Sequence, residues 1–128
     1  MPEWVLVVAD DQAVGNDIVT TLHQSGYHVV PARALPEVRE CLGTQPVVAI
    51  LLVAERLDRA VLGFCHELRE TRGSHLVIML VCAPGPVRDR TVALEVGADD
   101  VVVTPVSPDE LRARLAVHLR RRRLLSGT

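Results

Sequence analysis

At 128 residues, 48% of them hydrophobic and with a formal charge of −2, the chain is sized for one domain that buries a core without disulfides or a structural metal. No stretch reaches the ~18 to 20 consecutive apolar residues of a membrane-spanning helix, and the N-terminus lacks the basic and apolar regions of a secretory leader, so a cytoplasmic protein without membrane contact is expected. Cys41, Cys65 and Cys82 are odd in number, show no C-x-x-C spacing and lie in apolar runs, which reads as buried reduced thiols; His23, His28, His66, His75 and His118 have no paired ligand spacing, which argues against a metal site.

With one Trp, one Tyr and one Phe, the interior must be built from Val, Leu, Ile and Ala, the residues of parallel sheets covered on both faces. Residues 4–8 form a short β-branched run, and after Asp10 and Asp11 the spacing changes to Val14, Ile18, Leu22: strand, turn, helix. Residues 27–30 read as a second strand, 36–42 as a second helix and 47–53 as a fully apolar central strand. A third helix carries Leu57, Val61, Cys65 and Leu68 on one face with Asp58 as its N-cap. Strand 4 is expected at 76–81, helix 4 at 87–96 and strand 5 at 101–103. In the fifth helix Leu111, Leu115 and Leu119 form the inner stripe, and Ser107, Pro108 and Glu110 predict a capping box. Gly26, Gly43, Gly73 and Gly97 stand where left-handed residues would stop helices 1 to 4.

Five βα units joined by short connections imply right-handed crossovers and an α/β fold of flavodoxin-like, doubly wound (βα)5 type, a parallel five-stranded sheet in the order 2-1-3-4-5. In such a sheet ligands sit beyond the carboxyl ends of strands 1 and 3, where the strand order reverses. No glycine lies between Ala9 and Val14, so a phosphate-cradling loop for a small flavodoxin-type ligand is not expected.

Three segments carry a specific resemblance: Val5-Leu6-Val7-Val8-Ala9-Asp10-Asp11, Gly26-Tyr27, and residues 97–111, Gly-Ala-Asp-Asp-Val-Val-Val-Thr-Pro-Val-Ser-Pro-Asp-Glu-Leu. In order and spacing the chain resembles a two-component response-regulator receiver domain over about residues 4–122, nearest the winged-helix transcription-factor branch. The resemblance implies a receiver-like domain at 1–122, with 123–128 a tail or the start of a linker to an output domain that the sequence does not include.

Receivers accept a phosphoryl group on an aspartate ending strand 3, with acidic residues after strand 1 holding Mg²⁺ and a hydroxyl and a lysine clamping the phosphoryl oxygens. Against that pattern the nucleophile position holds Leu52 or Val53, the hydroxyl position Val81 (Cys82 if shifted), the first acidic position Ala9, the aromatic switch position Val101 and the lysine position Thr104. All 14 basic residues are Arg, so no alignment restores the lysine. The expectation is a degenerate phosphorylation pocket, formed by Ala9, Asp10, Asp11, Leu52, Val53, Val81 and Thr104, with no catalytic residue, no enzyme activity and no cofactor. Asp10 and Asp11 alone would hold Mg²⁺ weakly, and Asp11 is expected to cap helix 1. The alternative is a phosphoacceptor using a displaced carboxylate, Asp10, Asp11 or Glu55, with Mg²⁺; Glu55 would reach the pocket if strand 3 ran two residues longer, and is otherwise a solvated loop residue. Thr104-Pro105 is similar to the family's lysine-proline pair and is a candidate cis peptide.

The resemblance also points to an isologous homodimer through helix 4, strand 5 and helix 5, with Arg90–Glu110, Asp100–Arg114 and Asp99–Arg121 as reciprocal ion pairs. Exposed pairs contribute only about 0 to 1 kcal/mol each, so such a dimer needs an apolar centre. Arg120 to Arg123 are favoured at a helix C-terminus by the macrodipole and form a weak nucleic-acid signal, so direct nucleic-acid contact is not expected; a protein partner or fused output domain is.

Overall fold

The computed structural model describes residues 3–125. Five strands, β1 (Trp4–Ala9), β2 (His28–Ala32), β3 (Val47–Val53), β4 (Val77–Cys82) and β5 (Asp100–Val103), form one parallel sheet in the order β2-β1-β3-β4-β5, as the alternation predicts. The helices are α1 (Gln12–Gln24), α2 (Leu35–Thr44), α3 (Arg59–Arg72), α4 (Val87–Val96) and α5 (Pro108–Leu125), with one 3₁₀ turn (Gly73–His75) before β4. The helix bounds expected at 87–96 and the strand bounds expected at 47–53 are those observed, whereas β2 and β4 each begin one residue later than expected.

Strand alternation sends side chains to two cores. Leu6, Ile50, Leu52, Ile78 and Leu80 face Val38 and Cys41 of α2, Cys65 and Leu68 of α3, and Ala93 of α4. Val5, Val7, Ala49, Leu51, Met79 and Val102 face Ile18 and Leu22 of α1 and Leu111, Leu115 and Leu119 of α5. The predicted stripes of α1 and α5 are therefore the buried ones, and all three cysteines are buried. Leu57, expected on the α3 stripe, is buried but precedes the helix, because Asp58 is the N-cap and accepts from the Val61 N–H at 3.0 Å.

Two expectations about helix ends are corrected. Gly26, Gly73 and Gly97 have positive φ at the ends of α1, α3 and α4, but Gly43 lies inside α2, which runs on to Thr44 and stops where Gln45 donates its backbone N–H to the Cys41 carbonyl at 2.9 Å. The capping box of α5 is half formed: Ser107 Oγ accepts from the Glu110 N–H at 3.0 Å, while the Glu110 carboxylate turns away to Arg114, whose full charge is a better partner than a neutral amide. α5 runs on to Leu125, held by Arg122 donating to the His75 carbonyl and by an ion pair between Arg123 and Glu3; residues 126–128 of the expected tail lie outside the described residues. Edge strand β2 carries the exposed Pro31 opposite Val7. Trp4 stacks on His28 at the start of the same two strands, with ring centroids 5.0 Å apart.

Candidate functional site

Beyond the carboxyl ends of β1, β3, β4 and β5 lies a crevice of about 390 Å³. Strand register sets its lining: Val53 and Val81 are level with each other and both line it, whereas Ala9, level with Val53 on β1, lies outside it in a separate hollow against α1. Register also decides between the two candidates on β3. Val53 lines the crevice, whereas Leu52 points to the α2–α3–α4 side and belongs to that core. Val81 and Cys82 both line it, and Val81 is the one level with Val53. Burial pushes the Cys82 thiol up, further raised by Asp89 and opposed by Arg90, so the one sulfur at the crevice stays protonated and weakly nucleophilic near neutral pH.

Ala9 is covered by a close approach of α1. A Cβ at Gly15 would stand 2.8 Å from the Ala9 Cβ, so α1 packs onto β1 with no room for a larger residue at position 15. Thr104 lines the crevice after β5, held by its N–H donating to the Cys82 carbonyl at 2.8 Å, and the Thr104-Pro105 peptide is cis, as its likeness to the family pair suggested.

The acidic groups sit at the rim. Asp10 is exposed. Asp11 caps α1 as expected, its Oδ1 accepting from the Ala13 N–H at 2.9 Å and the Val14 N–H at 3.4 Å. Glu55 reaches the rim although β3 ends at Val53: the Ala54 N–H donates to the Val81 carbonyl at 2.9 Å and the Ala83 N–H to the Glu55 carbonyl at 3.0 Å, so the β3–α3 and β4–α4 loops are tied together over the crevice. Its place by the pocket thus needs no longer strand, and Ala54 and Ala83 join the lining without any local sequence signal.

Mg²⁺ takes a near-octahedral shell of oxygens. Here Asp11 Oδ1 is taken by the helix cap, the strand ends offer hydrocarbon, and among the described residues no three His, Cys, Asp or Glu side chains group as metal ligands.

On the α4–β5–α5 face the six charged residues expected in a dimer are all present, and the acids are engaged within the chain. Asp100 accepts from Arg114 at 3.2 Å and lies 3.0 Å from His118 Nε2; Glu110 accepts from Arg114 Nε at 2.9 Å. These bonds, first Glu110 and then Asp100, raise the Arg114 pKa further. Asp99 pairs within the chain with Arg69 at 2.7 Å. Arg90 donates to the Gly85 carbonyl at 3.1 Å, and Arg121 is exposed. On α4 itself Val87 is 65% and Leu94 50% exposed, an apolar pair that the periodicity of α4 did not reveal.

A doubly wound (βα)5 sheet with its crevice at the β1/β3 switch point, acids after β1 and a cis proline peptide after β5 defines a receiver-type domain, here with hydrocarbon on the crevice floor. The family model described as the response regulator receiver domain matches residues 5–116, and the chain belongs to that family of signalling proteins. It is similar to the probable transcriptional regulator ycf27 of Guillardia theta, 40% identical over 121 residues covering 93% of this chain and 46% of that protein. It is also similar to the response regulator MprA of Mycolicibacterium vanbaalenii, 36% identical over 123 residues covering 94% of this chain and 52% of that protein. The chain thus spans about half the length of these relatives. The CheY-like receiver domain protein of Methanospirillum hungatei shares the fold, with a TM-score of 0.84 at 20% identity over 96% of this chain and 98% of that one. Among the described residues no helix is long and apolar enough to cross a membrane.

Proposed function

We propose that this receiver works without phosphorylation, as a cytoplasmic, non-enzymatic dimerisation module that brings together partners or output domains in two-component-type regulation of transcription. One observation carries the reading: Val53 and Val81 lie side by side in the crevice and Thr104, at the lysine position, lines it with them, so the family's nucleophile, hydroxyl and clamp are all missing from one place. Aspartyl phosphate formation needs a carboxylate at the strand end and cations to neutralise the phosphoryl oxygens, and a valine row supplies neither. Neither Mg²⁺ nor another cofactor has a role in this reading. The half-length match to transcriptional regulators supports an output domain as the element brought together.

Self-association through α4–β5–α5 is supported by Val87 and Leu94, which supply the apolar centre that ion pairs alone lack. Covering two part-exposed aliphatic side chains contributes about 1 to 2 kcal/mol each. Arg90 and Arg121 then face the partner copy's carboxylates, which retain lone pairs beyond their intrachain bonds.

The test is incubation with acetyl phosphate or beryllofluoride plus Mg²⁺, read by intact mass. No adduct is expected. The displaced-carboxylate reading rests on Glu55 standing at the rim with Asp10 and Asp11, and an acyl phosphate mapped to one of these three would establish it in place of ours.

A further inference from the structure

α5 is held to the sheet by Leu111, Leu115 and Leu119, each at most 2% exposed, but α4 buries only Ala93 and has no side-chain N-cap. Burial therefore does little to fix α4, and something else must set the face that α4 and β5 present. Deepening the dimerisation reading and resting on it, we propose that Arg69 of α3 is the positioning residue of this face, acting from the end of the sheet opposite the crevice.

A guanidinium has five N–H donors in a planar fork, and all five of Arg69's are used. Nε and Nη2 donate to the Gly97 carbonyl at 2.9 and 2.8 Å, Nη1 to the Gly73 and Leu76 carbonyls at 2.7 Å each, and Nη2 also to Asp99 Oδ2 at 2.7 Å. Asp99 continues the connection by accepting from the Ile78 N–H at 2.8 Å, and its own N–H donates to the Ile78 carbonyl at 2.8 Å. One side chain thus joins the end of α3, the 3₁₀ turn, the first residues of β4 and the α4–β5 turn. The contact is steric as well: Gly97 has φ 146°, and a Cβ there would stand 2.8 Å from Arg69 Cβ. The Arg69 side chain is 22% exposed, so these charge-assisted bonds are only partly screened. The clamp engages Asp99 within its own chain, so Asp99 serves the face by placing it, while Arg90, Glu110, Arg114, Val87 and Leu94 make the contact.

The test compares the full chain with Arg69→Met, with the milder Asp99→Asn, which still accepts from Ile78, and with Arg39→Met as a control that breaks the α2–α3 pair to Glu67. Hydrogen exchange and dimer dissociation are read under conditions where each variant stays folded. Exchange at amides 97–99 is expected to rise about tenfold or more in both clamp variants while β1 and α1 stay as in wild type, and the control is expected to leave amides 97–99 unchanged. Dimer dissociation constants are expected to rise about tenfold alongside, or about 1.4 kcal/mol. Acceleration spread evenly over every element, or none at 97–99, overturns the proposal, as does an unchanged dimer affinity with faster exchange at the turn. Should the wild type be a monomer at every concentration, the dimerisation reading falls by itself, and exchange at 97–99 still decides whether Arg69 places the turn.

Discussion

The crevice and the α4–β5 turn lie at opposite ends of the same sheet and have been treated in opposite ways. At the crevice, adjacent strand ends carry Ala9, Val53 and Val81, and the surviving acids sit at the rim, one of them occupied as a helix cap. At the turn, all five donors of one arginine are used, four of them on backbone carbonyls and the fifth on an aspartate that also accepts from backbone. The crevice carries hydrocarbon where the family pattern has charge, and the turn is held by a charged network.

The comparison can be broken most strongly by reversing the crevice. Ala9→Asp, Val53→Asp, Val81→Thr and Thr104→Lys together restore the family pattern, and the variant is expected to go from no phosphoryl or beryllofluoride adduct to a readily detected one by intact mass. Failure of the fourfold variant, folded by circular dichroism, to form any adduct would show that more than these side chains has been lost.

Alkaline unfolding sharpens the holding end. Burial, eased by Arg69 and reinforced by Asp99, pushes the Cys65 thiol from an ordinary 9.0 up to about 11. Below pH 9 the thiol is protonated in both folded and unfolded chains. As pH rises, the unfolded thiol ionises first, so stability present below pH 9 is lost as the pH climbs through about 11, by about 3 kcal/mol for a two-unit shift. The raised pKa values of Cys41, Cys82 and Tyr27 act in the same direction. Urea unfolding of wild type and Cys65→Ala at pH 8 and near pH 11 is expected to give the wild type the steeper loss.

Arg114→Glu removes the cation shared by Asp100 and Glu110 and puts a third carboxylate beside them, so the dimer dissociation constant is expected to rise about tenfold or more by analytical ultracentrifugation. If both proteins are monomers at high concentration, the face is no interface. The smallest effect belongs to Asp11→Ala, which leaves the first-turn N–H groups of α1 uncapped and is expected to cost about 1 kcal/mol in chemical denaturation without affecting dimer mass.

Much of the fold was legible because local spacing and global burial agree. Ile18 and Leu22, and Leu111, Leu115 and Leu119, announce their faces by fours, and Asp11 and Asp58 announce helix starts. Gly43 misled because a glycine stops a helix only when its φ turns positive, and here the chain leaves the helix two residues later in an extended conformation at Gln45. Which of Leu52 and Val53 meets the crevice depends on pairing with β1 and β4, a long-range fact that a single run of apolar residues does not contain. Arg69 was invisible for the same reason: its partners Gly97 and Asp99 come 28 and 30 residues later, and in sequence it is one more cation in the last turn of a helix.

Pro31 has a consequence for how copies of the chain can meet. It has no N–H to offer an incoming strand and sits exposed on β2, one lateral margin of the sheet; the other margin, β5, is only four residues long and opens with Asp100. Neither margin is a template on which a further chain could zip up backbone to backbone. Higher-order growth by strand addition is thereby discouraged, and encounters between copies are steered to helix surfaces, where contact is finite and closes on itself.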